Sequence, residues 1–339
     1  MEKNQKLKGV ANLAGSKAGK MKTLSLTGSK KKFSILDYSI YIVLIALVVY
    51  FSFASPFFLG RANIGNFFSQ IPAVGILAIA LTMVLITGCV DLSIASNLAF
   101  SGTVAVMMAA AGLGPLIVIP ATIAIGVGWG FINGFFVTKF NLTPFILTLG
   151  TSFVIRGLIL FFTNGMNVAG VPEWFFRISN TRFMGGYFSS NTVVFVILII
   201  VFTFIMKKTR FGRYCYAVGT NKEAARLSGI KTNWHIIKVY MLAGAMAALA
   251  GILVMSNLNV GAPAEGEGMD LIALASSIIG GTRFGGGVGT IGGAVVGVLT
   301  ISVFSNGLAI LGVNTFLQGV VTGGIIVVAV TLDYFRNKK

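Results

Sequence analysis

NTVVFVILIIVFTFIM (191–206) runs directly into KKTRFGRYCYAVGTNKEAARLSGIKTNWHIIK (207–238), and this junction decides the fold. The first segment is almost unbroken hydrocarbon, close to the length that spans a bilayer core. The second carries eight Lys or Arg against a single acid, Glu223. An apolar run ending in a basic loop is the pattern of a membrane protein that keeps its basic loops on the cytoplasmic side. Within that loop, NKEAARLSGI (221–230) reads as a short helix. Asn221 supplies the cap, Gly229 the stop, and Glu223 and Arg226 share one face. Ala224, Ala225, Leu227 and Ile230 are more apolar than a solvated surface helix needs. They suit docking into a groove on a soluble partner.

The composition agrees. Of 339 residues, 55% are hydrophobic and 10% charged, with a mean hydropathy of +0.89. Soluble domains carry about 25% charged residues, so a soluble fold is excluded. Outward from the junction, apolar segments fall at 38–58, 65–88, 92–111, 115–137, 145–163, 191–206, 237–256, 270–280, 288–310 and 314–333. The eighth is short for a full span and reads as a broken or re-entrant helix, unless it extends into GGTRFGGGVGT. Ten crossings place the N-terminal tail, Lys139, the 207–238 loop, Arg283 and the final RNKK on the cytoplasmic side. They leave 164–190 and the acidic 257–269, with Glu265 and Glu267, outside. Nine crossings would strand the basic C-terminus outside. The expected fold is therefore an all-α polytopic membrane protein of about ten transmembrane helices, both termini cytoplasmic.

Two regions follow. Residues 1–35 form a disordered basic cytoplasmic tail, with nine Lys and one Glu in its first 32 positions. Residues 36–336 form one transmembrane domain that includes the 207–238 loop. The net charge of +17 is explained by orientation and contact with anionic membrane lipid, without nucleic acid. Cys89 and Cys215 do not make a disulfide framework, and a single histidine, His235, excludes a His-based metal cluster.

A weak internal repeat runs through the chain. VDLSIA (90–95) is echoed by MDLIALA (269–275), and NGFFVTKFNLTPFILTLGTS (133–152) by NGLAILGVNTFLQGVVTGG (306–324). The corresponding spans are five apart, an odd number, so the copies are inverted across the membrane, as in many transporters. Chance similarity among apolar segments is the alternative. Asp91 and Asp270 occupy equivalent places in the two copies; each either caps a helix or lines a path. Arg156 lies inside a span, where it snorkels, pairs with a buried carboxylate, or faces a polar cavity. Asn141, Thr143, Phe145 and Thr148 at the entrance of that span, and Asn164 beyond it, complete the candidates for a translocation path.

Several chemistries are missing. There is no G-x-x-x-x-G-K-[ST] phosphate loop, no H-E-x-x-H and no G-x-S-x-G. The chain is not expected to be an enzyme, and it needs no cofactor of its own. Glycines at 285–287, 289, 292, 293 and 297 read as helix packing.

GCVDLSIAS (88–96), NLTPFILTLGTSFVIRGL (141–158), TNGMNV (163–168), TRFGRYCYAVGTNKEAARLSGI (209–230), GAPAEGEGMDLIALASSIIGGTRFGGGVGTIGGAVVG (261–297) and NGLAILGV (306–313) together carry a resemblance. The chain resembles the ribose/xylose/galactose-type permease subunits of bacterial ATP-binding-cassette (ABC) importers, within the wider family that includes branched-chain amino acid permeases. The resemblance runs from about residue 38 to the C-terminus; the basic N-terminal extension is longer than the family pattern. It implies a multi-pass protein of the bacterial plasma (inner) membrane that carries a monosaccharide inward. It further implies a second permease subunit, most simply a homodimer, an ABC ATPase subunit that holds ATP and Mg, and an extracytoplasmic sugar-binding protein. The residues coupling to the ATPase would be Asn221, Glu223, Ala224, Ala225, Arg226, Leu227, Ser228, Gly229 and Ile230. The same machinery carrying a nucleoside, a sugar-like signalling molecule or a branched-chain amino acid, an ion-coupled secondary transporter, and a non-transporting scaffold are the alternatives.

Overall fold

A computed structural model describes residues 39–314, 317–321, 323–324, 327 and 331. The basic tail 1–35 and the C-terminal RNKK lie outside the described residues. The helices are α1 (Ser39–Ala54), α2 (Arg61–Ile86), α3 (Ile94–Ala110), α4 (Pro115–Lys139), α5 (Pro144–Thr163), α6 (Glu173–Asn180), α7 (Ser190–Lys208), α8 (Arg210–Thr220), α9 (Lys222–Leu227), α10 (Thr232–Leu258), α11 (Met269–Ile279) and α12 (Ile291–Ile310). Between α6 and α7, β1 (Arg182–Phe183) and β2 (Phe188–Ser189) pair antiparallel as a small hairpin.

Among the described residues six helices are long and apolar enough to cross a membrane, namely α2, α4, α5, α7, α10 and α12; α1, α3 and α11 are apolar but shorter. The fold is thus all-α and polytopic, and the chain is a multi-pass membrane protein. Pro115 and Pro144 open α4 and α5 at the first helical turn, where a missing N–H costs nothing. Asn164 and Asn259 close α5 and α10 in the left-handed conformation, which asparagine tolerates.

The eighth apolar segment is a broken helix. α11 has 11 residues, about 16 Å at 1.5 Å per residue, roughly half a hydrocarbon core. A non-helical return, 280–290, leads from it into α12. The 164–190 segment also carries more structure than a loop. Its helix α6 buries Phe175 and Ser179, and the Ser179 hydroxyl donates to the Leu253 carbonyl of α10 at 2.7 Å.

α2 and α10 form the centre, surrounded by α3, α4, α7, α11 and α12. Small residues set the distances. A Cβ on Gly126 of α4 would overlap the Gly244 carbonyl of α10, and one on Gly244 would overlap that of Gly126. A Cβ on Gly102 of α3 would likewise overlap the Gly251 carbonyl of α10, and one on Gly251 would overlap the Leu98 carbonyl of α3. Backbones meet this closely only where side chains are absent, which is how helices associate when lipid is as apolar as the interface.

Candidate functional site

The basic segment folds into two short helices on the membrane bundle. Thr209 separates α7 from α8, and its hydroxyl accepts from the Gly212 N–H at 3.4 Å. Cys215 and Val218 turn inward from α8. Cys215 Sγ sits 3.3 Å from His235 Nε2 at the start of α10. Burial pushes its thiol up to about 12, so it packs as an apolar group and does not react as a thiolate. At the end of α8 the contact becomes main chain to main chain. The Gly287 N–H donates to the Ile86 carbonyl at 2.9 Å, and a Cβ on Gly219 would overlap that same carbonyl. The Tyr216 hydroxyl adds a bond to the Gly289 carbonyl at 2.8 Å. The segment is thereby fixed to the end of α2 and to the return between α11 and α12.

α9 projects from this base. Asn221 caps it, its side-chain oxygen accepting from the Ala224 N–H at 2.9 Å. It ends with Gly229 at φ +85 and bonds from Ile230 N–H to the Ala225 carbonyl and from Gly229 N–H to the Arg226 carbonyl. That pair of bonds around a left-handed glycine is a Schellman stop. Arg226 grips Glu223 through both carboxylate oxygens, at 3.0 and 2.5 Å. This contact holds the Glu223 carboxyl below its ordinary range. Leu227 is 75% exposed, and Asn221, Ala224 and Ser228 face out with it. Ala225 is buried and Ile230 packs partly on the core, so those two anchor the helix.

The path candidates separate into three groups. Asp91 and Thr148 are buried around a non-helical stretch before α3. Asp91 accepts from the Ser93 N–H at 3.0 Å and from the Ser93 hydroxyl at 2.6 Å. Asn133 of α4 donates to the Ser93 hydroxyl, the Leu92 N–H donates to Thr148 of α5, and the Tyr240 hydroxyl of α10 donates to the Val90 carbonyl. Three neighbouring helices thus satisfy a break in the ladder, as irregular backbone at membrane depth requires. The helix begins at Ile94 and not at Leu92, so Asp91 braces the approach to α3 and does not cap a helix beginning at Leu92.

Arg156 and Asp270 meet at a second place. Arg156 donates to the carbonyls of Pro263 and Glu265 at 2.5 and 2.9 Å. Among the described residues the ion pairs are Arg177–Glu173 and Arg226–Glu223, so Arg156 holds a loop and not a carboxylate. Beside it lies a cavity of about 320 Å³, whose polar lining includes Ser96, Ser152, Glu267 and Asp270. Ser96 and Ser152 hydrogen-bond across α3 and α5 at 2.7 Å. The third group is peripheral. Thr143 lines an apolar groove of about 570 Å³ with Trp129, Ile146 and Thr151. Phe145 is exposed, and Asn141 and Asn164 serve as left-handed turn residues at the two ends of α5.

The model of the permease component of branched-chain amino acid transport systems matches residues 63–330. The ribose import permease protein RbsC of Bacillus subtilis is 39% identical over 293 residues, covering 86% of this chain and 90% of that protein. Its counterpart in Escherichia coli is 34% identical over 330 residues, covering 94% and 100%. The D-allose transport system permease protein AlsC of Escherichia coli is 35% identical over 303 residues, covering 89% and 92%. The chain belongs to the sugar-type permeases of ABC importers. No solved structure matches it.

As a subunit of that family the permease is not itself an enzyme, and ATP hydrolysis resides on a partner subunit. Importers of this class generally work with an ATPase and a binding protein. Two features of the permease escaped the sequence reading. One is α8, whose Phe211, Cys215 and Val218 recur at helical spacing and could have been found. The other is the set of loop carbonyls that Arg156 holds, more than a hundred residues away, for which no side-chain signal exists.

Proposed function

We propose that this permease moves a monosaccharide of the ribose type inward, driven by a separate ATPase that docks on α9. The observation that carries the proposal is α9 itself. Its outer face presents Asn221, Glu223, Ala224, Arg226, Leu227, Ser228 and Gly229, while Ala225 and Ile230 root it in the bundle. Below it the α8 base joins the core through main-chain contacts. A surface helix so rooted transmits displacement to the spans. The names of the relatives, which specify ribose, D-allose, L-arabinose and galactose, support a pentose or hexose.

The remaining assignments belong to the same reading. Ten spans arise if α1, α3 and α11 complete their crossings with neighbouring segments and a last helix lies beyond α12. Residues 1–35 then form a cytoplasmic tail, 36–336 the permease domain, and both termini are cytoplasmic. The short helices α3 and α11, each preceded by non-helical chain and carrying Asp91 or Asp270 near its start, support an inverted repeat. A second copy completes the path along the free face of α5, with Arg156 and Asp270 near its extracytoplasmic mouth, where the binding protein docks.

The test uses the whole transporter in vesicles with its ATPase and binding protein. Leu227→Asp removes an exposed apolar contact and adds a charge beside Glu223. The expected result is at least a tenfold loss of ATPase copurification and of ATP-driven ribose uptake. Unchanged association and uptake would overturn the docking assignment. Uptake of leucine in preference to any pentose or hexose would overturn the substrate class.

A further inference from the structure

At the face of the bundle opposite α9, two arginines share an open pocket with no acid in it. α2 has 26 residues, about 39 Å at 1.5 Å per residue. One end, Ile86, meets the α8 base, so Arg61 at the other end lies at the far membrane boundary. There Arg61, Asn66, Arg182 and the main chain of Gly65 and Gly186 line a cavity of about 390 Å³. Arg182 is steadied by a bond to the Gly65 carbonyl at 3.0 Å, and Arg61 lies over the Tyr187 ring at 5.7 Å. Neither has a carboxylate partner among the described residues. The first N–H groups of α2 open beside them, and Gly60 provides no side-chain cap. Two guanidinium groups and a helix N-terminus together favour an oxyanion.

The surroundings decide which oxyanion. In the chain segments that supply the pocket's lining, Phe57, Phe183 and Met184 leave 74%, 45% and 79% of their surface exposed. From the base of the hairpin, α7 descends with Val193, Ile197, Ile200 and Phe204 exposed at helical spacing. Such stripes face acyl chains on every lipid-exposed span, and this one starts where the arginine-bearing hairpin ends, so a chain lying on it brings its headgroup to the arginines. We infer that Arg61 and Arg182 form a binding site for the phosphate of an anionic phospholipid, whose acyl chains lie along α7.

The test reads lipid retention, which does not depend on any sugar or on α9. The complete transporter is placed in nanodiscs of mixed phosphatidylglycerol and phosphatidylcholine, then released, and its bound lipid is measured by native mass spectrometry. The expected result is retention of phosphatidylglycerol over phosphatidylcholine, reduced at least fivefold in the Arg61→Ala, Arg182→Ala double variant. Arg61→Ala alone leaves the Arg182–Gly65 bond intact and keeps the test valid if the double variant misfolds; a loss of at least twofold is expected. Equal retention by wild type and variants overturns the inference. Displacement of the bound lipid by millimolar inorganic phosphate, with no preference between the two lipids, also overturns it, in favour of a free-phosphate site. Unchanged lipid retention with weakened binding-protein association overturns it in favour of an acidic protein contact.

Discussion

α10 and α5 are similarly apolar, yet 78% of the membrane-length window of α10 is buried and only 17% of that of α5. The difference lies in size. α10 presents Gly244, Ala247, Ala248, Ala250 and Gly251 to its neighbours, all of them buried. α5 holds out Phe153, Val154, Phe161 and Phe162. In water, apolarity drives a side chain inward; in hydrocarbon it does not, and close backbone approach takes over. Hydropathy therefore locates the spans of such a protein, and small residues mark where α10 meets its neighbours most closely, whereas α2 fills the rest of the core with large side chains such as Leu77, Ile79 and Met83.

The sharpest way to break this contrast is to fill the core seam. Gly244→Leu would drive a side chain into the Gly126 carbonyl. Overpacking of a core costs about 1–3 kcal/mol and sometimes more, and here the clash is with backbone. Thermal unfolding in detergent should show a loss of about 3 kcal/mol or greater, with reduced membrane abundance. A middle effect is expected at the polar exception on α5. Arg156→Gln loses charge-assisted bonds to Pro263 and Glu265, each worth about 1.5–3 kcal/mol. Because solvent reaches the site, a net loss of about 1–2 kcal/mol is expected. Labelling of a cysteine placed at Ala264 should rise severalfold as the loop loosens. Unchanged labelling would show that Arg156 does not hold the loop. The smallest effect belongs to the open face. Phe161→Leu, 76% exposed in the single subunit, should move the stability of the dissociated subunit by less than about 0.5 kcal/mol; a larger change seen only in the assembled permease would mark the face that the second copy covers.

The same contrast explains what could be read from the chain. Helix ends were legible where a residue enforces them, as Pro144, Asn221 and Gly229 do. The half-length α11 was legible from its short apolar run. Asp91 was visible as an intramembrane acid, but its partners were not, since Ser93 bonds locally while Asn133 arrives from another helix. Arg156 announced a cost without announcing who meets it, because main-chain carbonyls carry no signature in sequence. Nor could the glycines at 126 and 244 be told from those at 128 and 150, where a Cβ meets nothing. Pairing between segments far apart in the chain decides these matters.

The Gly287–Ile86 hydrogen bond and the Gly219 contact beside it have a mechanical consequence. Side chains at a joint absorb small displacements by changing rotamer, so a push at one side fades before it reaches the other. Here no rotamer intervenes between the α8 base and the end of α2. A shift of Gly219 by even a fraction of an ångström there meets backbone directly, which leaves this joint little slack.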